Sequence, residues 1–437
     1  MFSLTLFESG RAAGRRLGLS LMVCLGLVSQ TRGQAIELPP AQIVAQVPAD
    51  APVVQAIVVS TMDLDACLNM ATGQQPALRA ARASLAAADS AKRGLDSIIF
   101  GQLLSPDLSI RKQQACLGIS IAASGLQQAE WETRYAVIRT FYSVQYAKKQ
   151  QTVVDSVIEK LTLAHEKAVR FVKAGDPNIK VTQIDVDTLA LNLEFARGKR
   201  VETEIGVQKA MAGLREAIGI NLDVPLEIPD VPLPELVSSF DKASLISGAL
   251  ANRAEMAQAY AAAQVSELEI CAQKKIFFNP APKTFAAGGD IHAKPIPQGV
   301  ANGEYRPAAI GPEMPVYLAG SRQLRVERAT DLSARAQAVV DKTHNLITLE
   351  VEAAYLKWAD AAKRITVFQK TPEAAAKISK SVQGRFDAGN VTGEELLRAR
   401  TLEDYAKAQY NEALFNHAVA LATIERATAG AYRMPSR

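Results

Sequence analysis

The tightest constraint on this chain is a pair of long helical patterns, free of helix-breaking clusters, each running into Ala-Gly. With Gly175 set opposite Gly389, residues 107–175 and 321–389 align without a gap. Identities include Arg111/Arg325, Ala115/Ala329, Ala122/Ala336, Val137/Val351, Lys149/Lys363, Thr152/Thr366, Val153/Val367 and Glu159/Glu373. The restart also repeats: Val181-Thr182 follows the first glycine and Val391-Thr392 the second, with extra residues around Asp176-Pro177-Asn178 in the first copy. Glycine just past a helical pattern is a stop signal, because it accepts a left-handed backbone without a Cβ clash. Each copy therefore reads as a long helix, a tight turn and a second helix, over 181–219 and 391–429. At 1.5 Å per residue, 108–173 and 322–387 each make a helix on the order of 100 Å long. Pro372 lies inside the second, where it bends the helix or marks a local irregularity. Helices this long find burial by lining up as coiled-coil-like walls.

Shorter helical stretches, 63–94 and 241–275, precede the two copies. A preceding and a following short helix, stacked end to end, match one long helix in length and can run beside it throughout. NLDVPLEIPDVPLPEL (221–236) joins the halves and, with its prolines, fits neither helix nor central strand. The insertion at 276–321 offers KTFAAGGDIHA and EYRPAAIGPEMPVYL as a strand hairpin, weakened by proline. ACLGISIA (115–122) alternates like a strand, but the ungapped repeat sets it opposite helix, which is the preferred reading. The expected layout is a signal peptide (1–34), an extended segment (35–62), the first repeat (63–220), a connector (221–240), the second repeat (241–430) and a tail (431–437).

Composition agrees with long helices. Only 6% of the 437 residues are aromatic against 48% hydrophobic, and alanine carries much of that fraction, as in RAARASLAAADSA (79–91). The net charge of +4 comes without a basic stripe, which gives no reason to invoke nucleic acid. Arg11, Arg15 and Arg16 precede the apolar run LGLSLMVCLGLV (17–28) and small residues near Gly33 to Ala35, the pattern of an export signal. That run is too short for a membrane helix, which takes about 20 residues. Cys24 leaves with the signal. Cys67, Cys116 and Cys271 are odd in number, without metal spacing, and read as helix-packing residues. His165, His292, His344 and His417 are scattered, no phosphate-binding glycine motif occurs, and Gly288-Gly289 reads as a turn. No catalytic, cofactor or metal site is expected, so the chain does not read as an enzyme.

Several stretches, in order and in duplicate, resemble the TolC-type outer-membrane efflux protein family. They are DLDACLNMATGQQPALRAARASLAAADSAKR (63–93), ALANRAEMAQAYAAAQ (249–264), MPVYLAGSRQLRVERA (314–329), EVEAAYLKW (350–358) and RFDAGNVTGEELLRART (385–401). The last resembles the family's turn at the closed tip. The resemblance spans about 61–430. It implies a mainly α fold, in which long antiparallel hairpins of three protomers form a trimeric α-helical barrel with a small β portion in the outer membrane. It also implies a passive duct across the periplasm for efflux or type I secretion. The expected partners are a periplasmic adaptor at the hairpin tips, an inner-membrane RND or ABC-type transporter, and outer-membrane lipid.

At the tip, the resemblance marks Gly175, Gly389, Val181 and Val391 as turn and adaptor-docking residues. Phe386 stands where some members carry a gate tyrosine, and Val391 where a gate arginine occurs. Glu395 matches an inward acidic position, with Asp185 its repeat counterpart, and Arg398 stands where some members place a second acid. Asp185, Asp187, Glu394 and Glu395 are accordingly candidates for a cation-favouring entrance. They also fit the first turns of two helices, where the dipole stabilises acids.

One length departs from the family pattern. Transmembrane strands need about 9–11 residues each, and LDSIIFGQLLSPD (95–107) is too short for two. Either 108–124 contributes strand or the membrane portion is reduced. A non-pore structural or adaptor-like periplasmic coiled-coil protein is the rival reading.

Overall fold

A computed structural model of the chain describes residues 61–98, 105–236, 238–277 and 320–434, all within one compact unit, Ile57–Arg437. The expected signal peptide, most of the extended segment 35–62 and the expected strand hairpin within 276–321 lie outside the described residues. So do 99–104, in the short link between helices, and the end of the tail.

The described residues form nine helices: α1 (Leu64–Gln74), α2 (Pro76–Asp96), α3 (Leu108–Ala174), α4 (Gln183–Ile218), α5 (Lys242–Asn252), α6 (Ala254–Lys275), α7 (Arg322–Phe368), α8 (Thr371–Asp387) and α9 (Gly393–Ala427). The first long helix is continuous, so 115–122 is helical as the repeat requires. The second is interrupted at Gln369 and Lys370, and Pro372 sits in the first turn of α8, where its missing N–H costs nothing.

Both preceding helices are divided rather than continuous. Pro76 starts α2 and holds Gln75 at ψ 120°, since the proline ring disfavours a helical residue before it. Arg253 adopts nearly the same backbone, φ −68° and ψ 127°, with no proline to enforce it. There the side chain sets the break: Arg253 pairs with Glu255 at 2.6 Å and with Glu350 at 2.9 Å.

The helices pack as four adjacent layers. α2 and α4 lie along α3; α3 lies against α6 and α9; α6 and α9 lie against α7 and α8. The short helices do stack along the long ones. In the first half the joint is Gln75, whose Nε2 donates to Glu216 O at 3.0 Å and Ala217 O at 2.9 Å at the end of α4. The central core gathers Ile138, Phe141, Leu214, Ile218 and Leu421 from α3, α4 and α9. Alanines such as Ala336, Ala354, Ala259 and Ala263 bring α6 and α7 close together.

The repeat's paired arginines meet on one helix. Arg111 donates to both oxygens of Glu269 on α6, to Asp107 at 2.8 Å and to Gln114 at 2.8 Å. Arg325 donates to Gln273 Oε1 at 3.0 Å, one turn further along α6, and Gln273 donates to Glu269 at 2.6 Å. The starts of both long helices are thereby tied through α6. The connector forms no helix over residues 221–236. Lys148 Nζ donates to Ile228 O at 2.7 Å, and a parallel bridge joins Thr61 to Glu227.

Cys67, Cys116 and Cys271 are free. Cys67 is fully buried between helices, and burial pushes its thiol up to about 12. Among the described residues no helix is long and apolar enough to cross a membrane.

Candidate functional site

The two hairpin ends lie side by side. At the first, α3 closes with Gly175 at φ 65°, and Thr182 with Asp185 forms a capping box at the start of α4. At the second, Gly389 turns the chain at φ 73° and Thr392 Oγ1 accepts the Glu395 N–H at 3.3 Å to cap α9. At the first, threonine and the acid three residues later each satisfy an amide that an isolated helix start leaves unpaired; at the second, the threonine hydroxyl does so.

Asp185 serves both hairpins. Its Oδ2 accepts from Thr182 N and Thr182 Oγ1, each at 2.8 Å. Its Oδ1 crosses to the other hairpin and accepts from Gly393 N at 2.8 Å and Glu394 N at 3.3 Å. The carboxylate is buried, and the side chain meets the α9 start so closely that a Cβ on Gly393 would stand 2.9 Å from Asp185 Cβ.

The remaining expected residues divide into two groups. Val181, Phe386, Val391 and Gly389 face inward. Phe386 is fully buried, its ring 6.1 Å from that of Phe171 and edge-on to it, and Val391 joins the same core with Leu396. Gly389 lies against Ile179, which a Cβ would meet at 3.0 Å, and its carbonyl accepts the Lys180 N–H at 2.9 Å. Asp187, Glu394, Glu395, Arg398 and Gly175 are exposed. Asp187 accepts from Gln183 at 2.9 Å, and Glu394 pairs with Arg398 at 2.6 Å one turn on, which offsets its charge locally. The expected acids therefore do not form one group: Asp185 is consumed by backbone amides, and the other three reach the surface.

A second polar layer lies behind the tips, reaching about four turns along α3 and α9; its residues carried no expected role, although Asp387 and Arg400 fall within 385–401. Lys167 pairs with Asp387 at 2.7 Å, and Glu403 accepts from Lys160 at 3.0 Å and Lys407 at 2.6 Å. Arg400, buried on α9, donates to the Lys160 carbonyl on α3 and to Gln383 Oε1 on α8. Burial works to raise the Glu403 carboxyl, but hydrogen bonds from Lys407, Ser379 and Lys160 hold it at about 2. Burial raises its neighbour Asp404 above the ordinary carboxylate value. The sequence hint for this layer was limited to Glu403 and Lys407 at helical spacing; the partners on α3 and α8 are remote in the chain. Among the described residues no group of His, Cys, Asp and Glu could hold a metal ion. The arrangement aligns no nucleophile with a base; it fixes helix ends.

Residues 245–430 match the model of the outer membrane efflux protein family. No match is found among curated proteins. Among solved structures, the Campylobacter jejuni CmeC outer membrane channel is similar with a TM-score of 0.66 at 12% identity, covering 86% of this chain and 87% of that one. The outer membrane protein VceC of Vibrio cholerae gives 0.65 at 14% identity, over 84% of this chain and 96% of that one. The open state of the Neisseria gonorrhoeae MtrE outer membrane channel gives 0.63 at 15% identity, over 84% and 89%. The mainly α, repeated-hairpin fold expected from the sequence is that of these channels, and the family resemblance is borne out over the second half of the chain.

Proposed function

We propose that this chain, which carries an outer membrane efflux protein segment over 245–430 and the fold of outer-membrane channels, is the outer-membrane component of a tripartite efflux or type I secretion assembly. It resides in the outer membrane, extends through the periplasm and provides a passive duct with no catalytic step.

The observation that supports a duct most directly is the open-ended layer order. α4 forms one edge of the slab and α7 with α8 the other. Each edge leaves apolar side chains in the open: Ile184, Leu191, Phe195, Val201 and Ile205 on α4, and Leu349, Leu356, Val367 and Ile378 on α7 and α8. Ile184, Leu191 and Phe195 follow spacings of seven and four, the seam of a coiled coil. Two different faces that meet head to tail build a ring when the rotation closes. Four layers from each of three protomers make the twelve-helix wall that the family resemblance implies.

Of the proposed partners, the further copies are supported by that geometry and the others by the family resemblance. A second and third copy cover the edges, a periplasmic adaptor meets the exposed turn around Gly175 and Glu394, and an inner-membrane RND or ABC-type transporter supplies the energy. Asp187, Glu394 and Glu395 are the proposed acids at the entrance, with Asp185 holding the turn on which two of them sit. Membrane fractionation followed by native mass measurement in detergent tests the reading: outer-membrane recovery as three copies is expected. Recovery as a soluble periplasmic monomer would favour a non-pore scaffold instead.

A further inference from the structure

We propose that a cavity between α1, α3 and the connector binds a small organic cation, an amidinium, guanidinium or ammonium group carried on a compact apolar body. The cavity lies roughly 45 Å along α3 from the turn at Gly175. It is lined by one chain alone, so it stands apart from the tips and does not depend on the channel reading.

The cavity measures about 210 Å³. At roughly 30 Å³ per water molecule this is room for a single aromatic ring with one substituent. Its walls are mostly apolar. Phe141 and Tyr142 of α3, both buried in the central core, meet Pro229 and Pro234 of the connector there. Three polar side chains interrupt these walls. Asp63 and Asp65, at the start of α1, are exposed, whereas Gln145, one turn along α3 from Phe141, is 3% exposed. An apolar pocket with a few converging polar groups is the usual form of a small-molecule site.

Gln145 is the decisive member. Among the described residues its buried Oε1 has no hydrogen-bond donor. Native structures supply nearly all such groups with a partner, because a buried acceptor left alone is costly. An apolar side chain would fill the same place without that cost. Since Gln145 lines the cavity, a donor bound there can meet it.

The charge at the cavity sets the sign of the ligand. Asp63 Oδ1 accepts the Ala66 N–H at 2.8 Å, and Asp65 lies in the first turn of α1. Their place at a helix start accounts for two acids, but not for the cavity beside them or the unpartnered amide oxygen. Among the described residues neither carboxylate has a cationic partner. The nearby lysines are engaged elsewhere: Lys149 pairs with Asp230 at 2.8 Å, and Lys148 Nζ donates to Ile228 O at 2.7 Å. A bound cation therefore finds two carboxylates, an amide acceptor and two aromatic rings, all of which favour positive charge. A bare metal ion fits poorly, because hard cations take about six or more oxygen ligands and these walls are mostly carbon.

Saturation-transfer NMR on the intact, detergent-solubilised protein tests the site, with benzamidine as the probe and benzamide as its neutral counterpart of the same shape. At low salt benzamidine is expected to bind about tenfold or more tightly than benzamide. Gln145→Met removes the acceptor and keeps the bulk. It is expected to weaken benzamidine by about tenfold, while the melting temperature holds or rises. Asp63→Asn with Asp65→Asn keeps the helix cap, since asparagine caps as well as aspartate, and is expected to weaken benzamidine alone. No binding by the folded parent, equal binding of the two probes, or undiminished benzamidine binding in either variant would overturn the proposal. A lower melting temperature in Gln145→Met would overturn it too, by showing that the amide already has its partner within the chain. None of these outcomes depends on conductance.

Discussion

Gln75 and Arg253 occupy the same place in the two halves of the chain. Each sits at the break between two short helices in nearly the same backbone conformation, φ −59° and ψ 120° for Gln75 against φ −68° and ψ 127° for Arg253. Each also reaches to the end of the helix returning from the tip: Gln75 to Glu216 O and Ala217 O, Arg253 to Ala427 O at 3.2 Å. The last carbonyls of a helix have no partners within it. A side-chain donor at the break supplies them and sets one short helix on the next, which is how two pieces come to match one long helix.

The two joints differ in what their loss exposes. Gln75→Ala removes neutral hydrogen bonds and is expected to cost about 1–2 kcal/mol. Arg253→Met leaves Glu255 and Glu350 buried with one fewer cation, and is expected to cost about 3–5 kcal/mol. Denaturant unfolding of the purified protein compares them; equal losses would contradict the assignment of Arg253 as a buried ionic hub.

The first joint also fixes a glycine. Gly219 has φ 85°, and a Cβ there would stand 2.6 Å from Gln75 Cα. Gly219→Ala is expected to destabilise by about 2–4 kcal/mol, from left-handed strain and the close backbone together. Gly118, inside α3, offers the opposite case, since a Cβ there would have nothing within 4 Å. Gly118→Ala is expected to stabilise by about 0.5–1 kcal/mol, because alanine gives up less chain freedom in a helix. The same unfolding experiment reads both signs.

These positions show how much of the fold the sequence made legible. Gly175 and Gly389 announce their turns, Pro372 marks the break before α8, and the ungapped repeat makes 115–122 helical against its own alternation. Those signals are local, or come from comparing the chain with itself. The break at Arg253 has no local mark, because it is held by Glu350 and Ala427, far along the chain. Asp185 shows the same limit at the tip. Its spacing from Thr182 identifies a helix start, but its bonds to Gly393 and Glu394 depend on which helix start lies beside it. Arg400 stands in a recognisable stretch and still gives no hint that it spans α3 and α8.

Acid should weaken the layer behind the tips. The Glu403 carboxyl is held at about 2 against an ordinary 4.5, so its contribution is present above 4.5 and is lost as the pH falls towards 2. Asp404, Arg400, Lys160 and Lys407 face it, and Ser379 bonds it from α8. Glu403→Gln is expected to lower the melting temperature at pH 7 by several degrees. The gap from the parent should narrow at about pH 3, where the parent begins to lose the same charge. A gap that widens in acid would contradict the sign of the shift.

The exposed edges carry the assembly. Phe195, 64% exposed on α4, and Ile378, 49% exposed on α8, belong to the two faces assigned to neighbouring copies. Phe195→Glu or Ile378→Glu is expected to reduce the trimer by about tenfold or more, because a charge at such a contact is left without a partner. Helix content by circular dichroism should stay unchanged, which separates lost assembly from lost folding. Full trimer in both variants would contradict the edge assignment.

Single-channel recording of the purified, detergent-solubilised protein in planar lipid bilayers tests the central claim most directly. A homotrimeric duct predicts discrete conductance steps that need no nucleotide or other energy source and vanish with Phe195→Glu. Protein that inserts or binds yet never conducts, across a range of voltages and salt concentrations, would contradict the account of this chain as an outer-membrane channel.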